Sequence, residues 1–86
     1  MNEFIKIAQI FDAAGYKVDH FELKYNDEVL YFCMSKMVKG IDSVPPPSEL
    51  VKTLASAGYN VETFKDSFYP KDYPKQVLEV NISNPR

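Results

Sequence analysis

The sequence predicts an α+β domain in which two helix–strand–strand (αββ) repeats form a four-stranded antiparallel sheet with two helices on one face. Two observations predict this fold. Matching segments recur in the two halves of the chain, and each half begins with a helical period and continues with two segments of alternating polarity. The predicted single domain covers residues 1–86, with one copy at 2–35, a linker at 36–46 and the second copy at 47–83.

The repeat is visible in two pairs of segments. Residues 14–18 (AGYKV) recur as residues 57–61 (AGYNV), 43 positions later, whereas residues 28–35 match residues 76–83, 48 positions later. Because the second offset is larger, we expect a longer connection between the two strands of the second copy.

Each copy begins with an amphipathic helix, because apolar residues recur there at steps of three and four. These residues are Phe4, Ile7, Ala8, Phe11 and Ala14 in the first copy and Leu50, Val51, Leu54 and Ala57 in the second. The run Pro45-Pro46-Pro47 precedes the second helix, where a proline is compatible only with the first turn. Gly15 and Gly58 follow the last periodic residues, and each is expected to end its helix in the left-handed conformation.

Two strands follow each helix. Their predicted bounds are 16–25 and 28–35 in the first copy and 59–68 and 76–83 in the second. Asn26-Asp27 is the predicted two-residue hairpin turn of the first copy. In the second copy, residues 69–75 contain two prolines, which predict an irregular loop.

Side-chain parity assigns the faces of the sheet. In the last strand Leu78, Val80 and Ile82 alternate with polar residues and must face the core. By the repeat, their counterparts in the first copy are Leu30, Phe32 and Met34. The first strand of each copy carries more charged residues, so we expect it at an edge of the sheet, with the second and fourth strands in the centre.

The first strand of each copy also departs from strict alternation. Tyr16 and Val18 share one parity and Phe21 has the other, and the second copy repeats the shift. A β-bulge near residues 19–20 and 62–63 would keep all of these side chains on the core side. The element order resembles a ferredoxin-like fold whose first strand has been moved to the end of the chain, a permuted ferredoxin-like order that carries no family motif.

Composition narrows the classes of function. The net charge is −2 and the pI is about 5.3. Most nucleic-acid binders instead carry an excess of basic residues, because these residues neutralise the phosphates. Cys33 is the single cysteine and cannot form an internal disulfide, which favours a reducing compartment. The N-terminal segment lacks the apolar run of a signal peptide and no segment approaches membrane-spanning length, so we expect a cytoplasmic protein.

One pair of reactive side chains stands out. If Tyr25 pairs with Glu28 around the turn, His20 lies directly opposite Cys33 on the outward face, where an imidazole could activate a thiol. No third group or oxyanion site accompanies the pair, so we predict no enzyme, and a cysteine enzyme or thiol-regulated protein stays an alternative. One histidine and one cysteine at no standard spacing predict no metal site, and three isolated glycines predict no phosphate loop and no cofactor.

The outward face of the sheet is the first candidate binding surface. If the helices cover one side only, Val29, Tyr31 and Cys33 are exposed on a central strand. An open sheet with a central aromatic resembles, in geometry alone, the face on which RNA-recognition domains stack bases. Glu22 and Glu79 on the same face oppose nucleic acid and favour a covering protein, through dimerisation or a partner.

The connection in the second copy is the other candidate surface. Its candidate contact residues are Tyr69, Lys71, Asp72, Tyr73 and Lys75. Prolines limit the entropy lost on docking and tyrosines supply amphipathic contact area, so this composition suits a binding loop. In the alternative, Phe68 and one tyrosine fold back to cap the core. The sequence also leaves the structure of the linker undecided, since the linker could extend the second strand and expose Met37 or Ile41.

These observations favour a small non-enzymatic protein-interaction domain, an inhibitor or adaptor that acts by binding a larger partner protein. The acidic balance could complement a basic, nucleic-acid-binding protein. Small acidic inhibitors encoded by phages or mobile elements have this general character. Two other classes stay open: a small-ligand-binding regulatory domain that acts as a dimer through an edge strand or the open face, and, ranked lower, a nucleic-acid-binding module.

Overall fold

The computed structural model describes residues 2–40 and 47–84, and these residues contain two helices and four strands. In chain order the elements are α1 (Asn2–Ala13), β1 (Lys17–Lys24), β2 (Val29–Met37), α2 (Pro47–Ser56), β3 (Val61–Tyr69) and β4 (Lys75–Ser83). This order confirms two helix–strand–strand repeats. β2 continues two residues beyond its predicted end, and Met37 is exposed there, whereas Ile41 lies outside the described residues.

The four described strands form one antiparallel sheet in the order β1-β2-β4-β3. β2 and β4 are therefore central and β1 and β3 lie at the edges, as predicted. If β4 were moved to the front of the chain, the order would become the βαββαβ order of a ferredoxin-like domain, so the permuted element order is confirmed.

One pair of residues is equivalent in the two copies and is also paired across the central strands. Phe32 and Val80 occupy equivalent positions in the two copies, and they are also paired across β2 and β4. A local two-fold relation between the copies therefore passes through this pair. The pairs on either side are Leu30 with Ile82 and Met34 with Leu78, which completes one apolar surface on the central strands.

This apolar surface and both helices contribute to one hydrophobic core. Its buried members are Phe4, Ile7 and Phe11 from α1, Leu50 and Leu54 from α2, Leu30, Phe32, Met34, Leu78, Val80 and Ile82 from the central strands, and Tyr16 and Tyr59. The larger side chains of each predicted apolar stripe pack in this cluster, and Ala14 packs against it. Ala57, a member of the second predicted stripe, lies beyond the end of α2 and is exposed.

The two helices are short and end in the same way. With 12 and 10 residues, neither described helix has the length and apolar character needed to cross a membrane. Gly15 and Gly58 adopt φ values of 89° and 93°, which a side chain would strain. After Gly15 the Tyr16 N–H donates to the Phe11 carbonyl at 3.0 Å, and the second copy repeats this bond at 2.9 Å. The predicted glycine caps are confirmed.

The predicted bulges are present in both edge strands. The register of β1 against β2 shifts between Val18 and His20, and β3 shows the equivalent shift against β4. The shift returns Phe21 to the core face, opposite Phe32. In β3, Phe64 returns to the core face in the same way and packs against the core.

The turn of the first hairpin is wider than predicted. It occupies residues 25–28, and the Glu28 N–H donates to the Tyr25 carbonyl at 3.1 Å. Tyr25, Asn26 and Asp27 all have positive φ, at 53°, 55° and 66°. Asn and Asp tolerate this conformation better than Tyr does, so Tyr25 is the strained residue of the turn.

Candidate protein-interaction surfaces

The face of the sheet opposite the core, here called the outer face, carries the outward residues of all four described strands. The register aligns neighbouring outward residues into two central rows, which are Glu22, Tyr31, Asn81 and Thr63, and then His20, Cys33, Glu79 and Lys65. Glu22 and Glu79 therefore share this face with Tyr31, as predicted. A hydrogen bond from Asn81 Nδ2 to Thr63 Oγ1, at 2.7 Å, ties β4 to the edge strand.

The prediction that Val29 is exposed on the outer face is wrong. Only 6% of its surface is accessible. Val29 lies beside the hairpin turn, where it pairs with Lys24 and shares a small hollow with Tyr25. Val29 is therefore not available to a partner, while Tyr31 and Cys33 are partly exposed.

Tyr31 lies at the centre of the outer face, and its polar group is already engaged. Its hydroxyl donates to Glu79 Oε2 at 3.0 Å, and Lys24 Nζ lies 3.9 Å from the centroid of its ring. Partial burial, followed by the hydrogen bond to Glu79 and the charge of that carboxylate, raises the pKa of Tyr31 from 10.0 to about 12. Tyr31 therefore offers a partner ring surface rather than a free hydroxyl.

The predicted register of His20 opposite Cys33 is confirmed. His20 Nε2 lies 3.8 Å from Glu22 Oε1, and its ring centroid is 6.1 Å from that of Tyr31. Cys33 is a partly exposed free thiol. Within residues 2–40 and 47–84, no three His, Cys, Asp or Glu side chains come together as a metal site requires.

Three large apolar side chains are exposed together at the end of the sheet far from the first hairpin turn. Met37, Tyr69 and Tyr73 expose 59%, 53% and 77% of their surface. The register places Met37 and Tyr69 on either side of Lys75, on the outer face, and Tyr73 precedes Lys75 by two residues. We call Met37, Tyr69, Lys71, Tyr73 and Lys75 the end patch.

The loop that carries part of the end patch is held against the end of β2. The Val38 N–H donates to the Pro74 carbonyl at 3.0 Å, which continues the pairing of β2 with β4 beyond both strands. Asp72 adopts a φ of 58°, so the chain turns sharply between Lys71 and Tyr73. These backbone features position the exposed side chains and reduce the conformational entropy that a partner must overcome on binding.

The surroundings of the end patch are positively charged although the chain as a whole is acidic. Lys71 and Lys75 are exposed in the patch itself, and Asp72 is the acidic residue of the loop. An open hollow that Met37 and Lys75 help to line adds two cations and one anion, which are Lys17, Lys36 and Asp19. A partner that approaches this end of the sheet therefore meets a basic surface.

The loop residues predicted from the sequence are all exposed, and these are Tyr69, Lys71, Asp72, Tyr73 and Lys75. The alternative in which one tyrosine folds back onto the core is wrong. Among Phe68, Tyr69 and Tyr73, only Phe68 is partly buried, and it lies on the core face opposite Gln76. Sequence reasoning did not connect Met37 with the loop, because that connection follows from the pairing of β2 with β4, which no turn of the chain specifies.

No protein-family model matches this chain, and no curated protein and no solved structure matches it significantly.

Proposed function

We propose that this protein is a non-enzymatic interaction domain, an inhibitor or adaptor that binds a larger protein partner through the end patch. One observation carries the proposal: Met37, Tyr69 and Tyr73 are each more than half exposed and lie at the same end of the sheet. Large apolar side chains that are scattered singly are normal on a protein surface, whereas a group of them marks an interaction site.

The composition of the end patch indicates the chemistry of the partner. Tyr69 and Tyr73 supply contact area with few rotatable bonds, and Met37 adapts to irregular apolar surfaces. Lys71 and Lys75 lie beside them. The complementary surface is therefore an apolar pocket bordered by carboxylates. This differs from the basic partner expected from the net charge, because a partner responds to the charges within about 10 Å of it rather than to the sum over the chain.

Affinity capture from a lysate of the native host, with three forms of the full chain, tests the proposal. The wild type is compared with Tyr69→Ala/Tyr73→Ala and with Tyr25→Ala, which removes a similarly exposed tyrosine at the opposite end of the sheet. Circular dichroism and thermal melting establish that each variant is folded. The double variant should bind the purified partner about tenfold more weakly or worse, because buried interface tyrosines are frequent hot spots.

Tyr25→Ala should bind that partner as the wild type does. A partner that binds all three forms equally, or that is lost with Tyr25→Ala instead, overturns the assignment of the end patch. If the wild type retains no specific protein, the proposed function is itself overturned.

A second candidate function draws on the same surface. Exposed tyrosines beside lysines are also typical of proteins that bind single-stranded nucleic acid, because bases stack on the rings and lysines neutralise the phosphates. Asp72 within the loop, and Glu22 and Glu79 on the outer face, oppose it. A labelled single-stranded oligonucleotide separates the two functions. Binding that falls with added salt and with the double tyrosine variant supports nucleic acid, and undetectable binding at low salt removes this candidate.

A further inference from the structure

The two edge strands of the sheet differ in what they present to solvent. On the core side of β1, Phe21 and Leu23 are 54% and 41% exposed, although the Phe21 ring lies 4.7 Å from the Phe4 ring, centroid to centroid. The equivalent residues of β3 are Phe64, which packs against the core, and Asp66. β3 thus carries an inward-pointing charge, which protects an edge strand from pairing, whereas β1 carries apolar side chains there.

The backbone groups at the open edge of β1 belong to the same two residues. The Val38 N–H donates to the Pro74 carbonyl across β2 and β4, so even-numbered residues of β2 direct their backbone groups to β4 and odd-numbered residues direct theirs to β1. Phe21 and Leu23 pair with even-numbered residues of β2. Their N–H and C=O groups therefore point away from β2, toward the open edge.

We infer that β1 pairs antiparallel with β1 of a second copy of this chain. In the register that places Leu23 opposite Leu23 of the second copy, the two exposed leucines meet on the core side, and Phe21 lies opposite Tyr25, the exposed turn residue that follows β1. On the outer face, the same register places Glu22 opposite Lys24 of the second copy, and Lys24 opposite Glu22. These are non-hydrogen-bonded pairs, in which side chains approach each other most closely, so the two opposite-charge pairs reinforce this register.

Neighbouring registers lack the two opposite-charge pairs. A pairing centred on Glu22 places two carboxylates opposite each other. A pairing centred on Phe21 places Leu23 opposite Asp19, where the bulge makes the strand irregular. Within one copy, Lys24 Nζ lies 3.7 Å from Glu22 Oε1, so both charges are already presented on the same exposed part of the outer face.

The dimer leaves the end patch free, because the patch is built from β2, β3, β4 and the loop between β3 and β4. Two end patches would then be carried by one continuous sheet. This inference does not rest on the proposed function, since it uses a different edge and different residues.

Sedimentation equilibrium of the full chain, from micromolar to millimolar concentration, tests the inference. The wild type should dimerise. Glu22→Lys and Lys24→Glu should each weaken dimerisation about tenfold or more, because each turns both opposite-charge pairs into like-charge pairs. The double variant Glu22→Lys/Lys24→Glu restores opposite charges and should dimerise as the wild type does. A mixture of the two single variants, one of them isotope-labelled, should form heterodimers in native mass spectrometry.

Two further variants act as controls. Lys65→Glu reverses a charge on the outer face of the other edge strand and should leave dimerisation unchanged. Leu23→Asp gives β1 the inward charge that β3 has at Asp66 and should yield a monomer, with folding checked by circular dichroism. Should that variant unfold, the surface charge reversals still decide the question.

A wild type that stays monomeric at millimolar concentration overturns the inference. So does a dimer that tolerates both single charge reversals, or one that Lys65→Glu disrupts. Tyr69→Ala/Tyr73→Ala should dimerise as the wild type does, so a failure of this inference is distinguishable from a failure of the proposed function.

Discussion

The two helix–strand–strand copies share their backbone features but differ in the side chains that they place in the core. Gly15 and Gly58 end both helices with positive φ, and both edge strands contain a bulge at the same place. The core positions then diverge, since the first copy places Phe32 where the second places Val80. Glycines and side-chain parity set the course of the backbone, whereas side-chain volumes can differ between the copies as long as their sum fills the core.

The largest difference between the copies in their contribution to stability is expected at Phe32 and Val80, the pair through which the local two-fold passes. Phe32 contacts three other rings, with centroid distances of 5.5 Å to Phe4, 5.2 Å to Phe11 and 6.3 Å to Phe21. Phe32→Ala should lower the free energy of unfolding by about 3–5 kcal/mol. Val80→Ala, at the equivalent position, should lower it by about 2 kcal/mol, because only two methyl groups and a smaller cavity are involved. Urea unfolding monitored by circular dichroism measures both.

Phe32→Leu serves as the control, because it keeps most of the buried volume and should cost less than about 1.5 kcal/mol. Equal losses for Phe32→Ala and Val80→Ala would contradict the unequal division of the core between the copies. A total stability of about 4–13 kcal/mol is expected for a domain of 86 residues, so Phe32→Ala removes a large part of it.

Tyr16 and Tyr59, which follow the two glycine caps, should differ less in their contribution to the free energy of unfolding. The Tyr16 hydroxyl donates to Oε1 of the fully buried Gln76 at 2.7 Å, whereas the Tyr59 hydroxyl donates to Oε2 of the partly exposed Glu3 at 2.8 Å. Tyr16→Phe should lower the free energy of unfolding by about 1–3 kcal/mol, because it removes a hydrogen bond that is buried. Tyr59→Phe should lower it by about 0.5–1 kcal/mol, because water reaches Glu3 and replaces the bond.

Denaturant unfolding of both variants checks this contrast, and a double-mutant cycle assigns its cause. In a Gln76→Leu background the acceptor of the Tyr16 hydroxyl is gone, so Tyr16→Phe should cost less than it does in the wild type. If the cost were the same in both backgrounds, the loss would come from the packing of the ring rather than from the hydrogen bond.

Features that depend on neighbours in the sequence could be predicted. The helix ends follow from a glycine after each helical period, and the bulges follow from the parity shift before Phe21 and Phe64. The placement of His20 opposite Cys33 follows from counting residues around one turn. Each of these features is fixed by backbone geometry within a single helix end or hairpin.

Features that depend on distant strands could not be predicted in the same way. Val29 has outward parity and is nevertheless buried, because the side chains beside it on other elements, rather than its parity, set its accessible area. β2 and β4 pair without a turn between them, so no local signal specifies their register. The position of Met37 beside the loop of the second copy, and that of Tyr31 beside Glu79, both depend on this register.

Tyr31 and Glu79 give the smallest and most specific contrast between the copies. They occupy equivalent positions in the repeat, yet the hydroxyl of one donates to the carboxylate of the other across the central strands. Glu79→Gln keeps an acceptor but removes its charge. The pKa of Tyr31 should therefore fall part of the way from about 12 toward 10.0, because burial, the larger cause, remains. Absorbance titration of tyrosinate measures this shift, and Tyr31→Phe identifies the signal among the six tyrosines.

The sign of the effect of pH on stability follows from the raised pKa of Tyr31. Unfolded Tyr31 loses its proton near pH 10, whereas the folded protein keeps that proton until about pH 12. The contribution of Tyr31 to the free energy of unfolding is therefore fully present below pH 10, decreases as the pH rises, and is lost above about pH 12. Burial also raises the pKa of Tyr16 and Tyr59, but they contribute equally to the wild type and to Glu79→Gln. The wild type should consequently lose stability more steeply than Glu79→Gln across this interval. Equal slopes would mean that the contact between Tyr31 and Glu79 contributes nothing to the raised pKa of Tyr31.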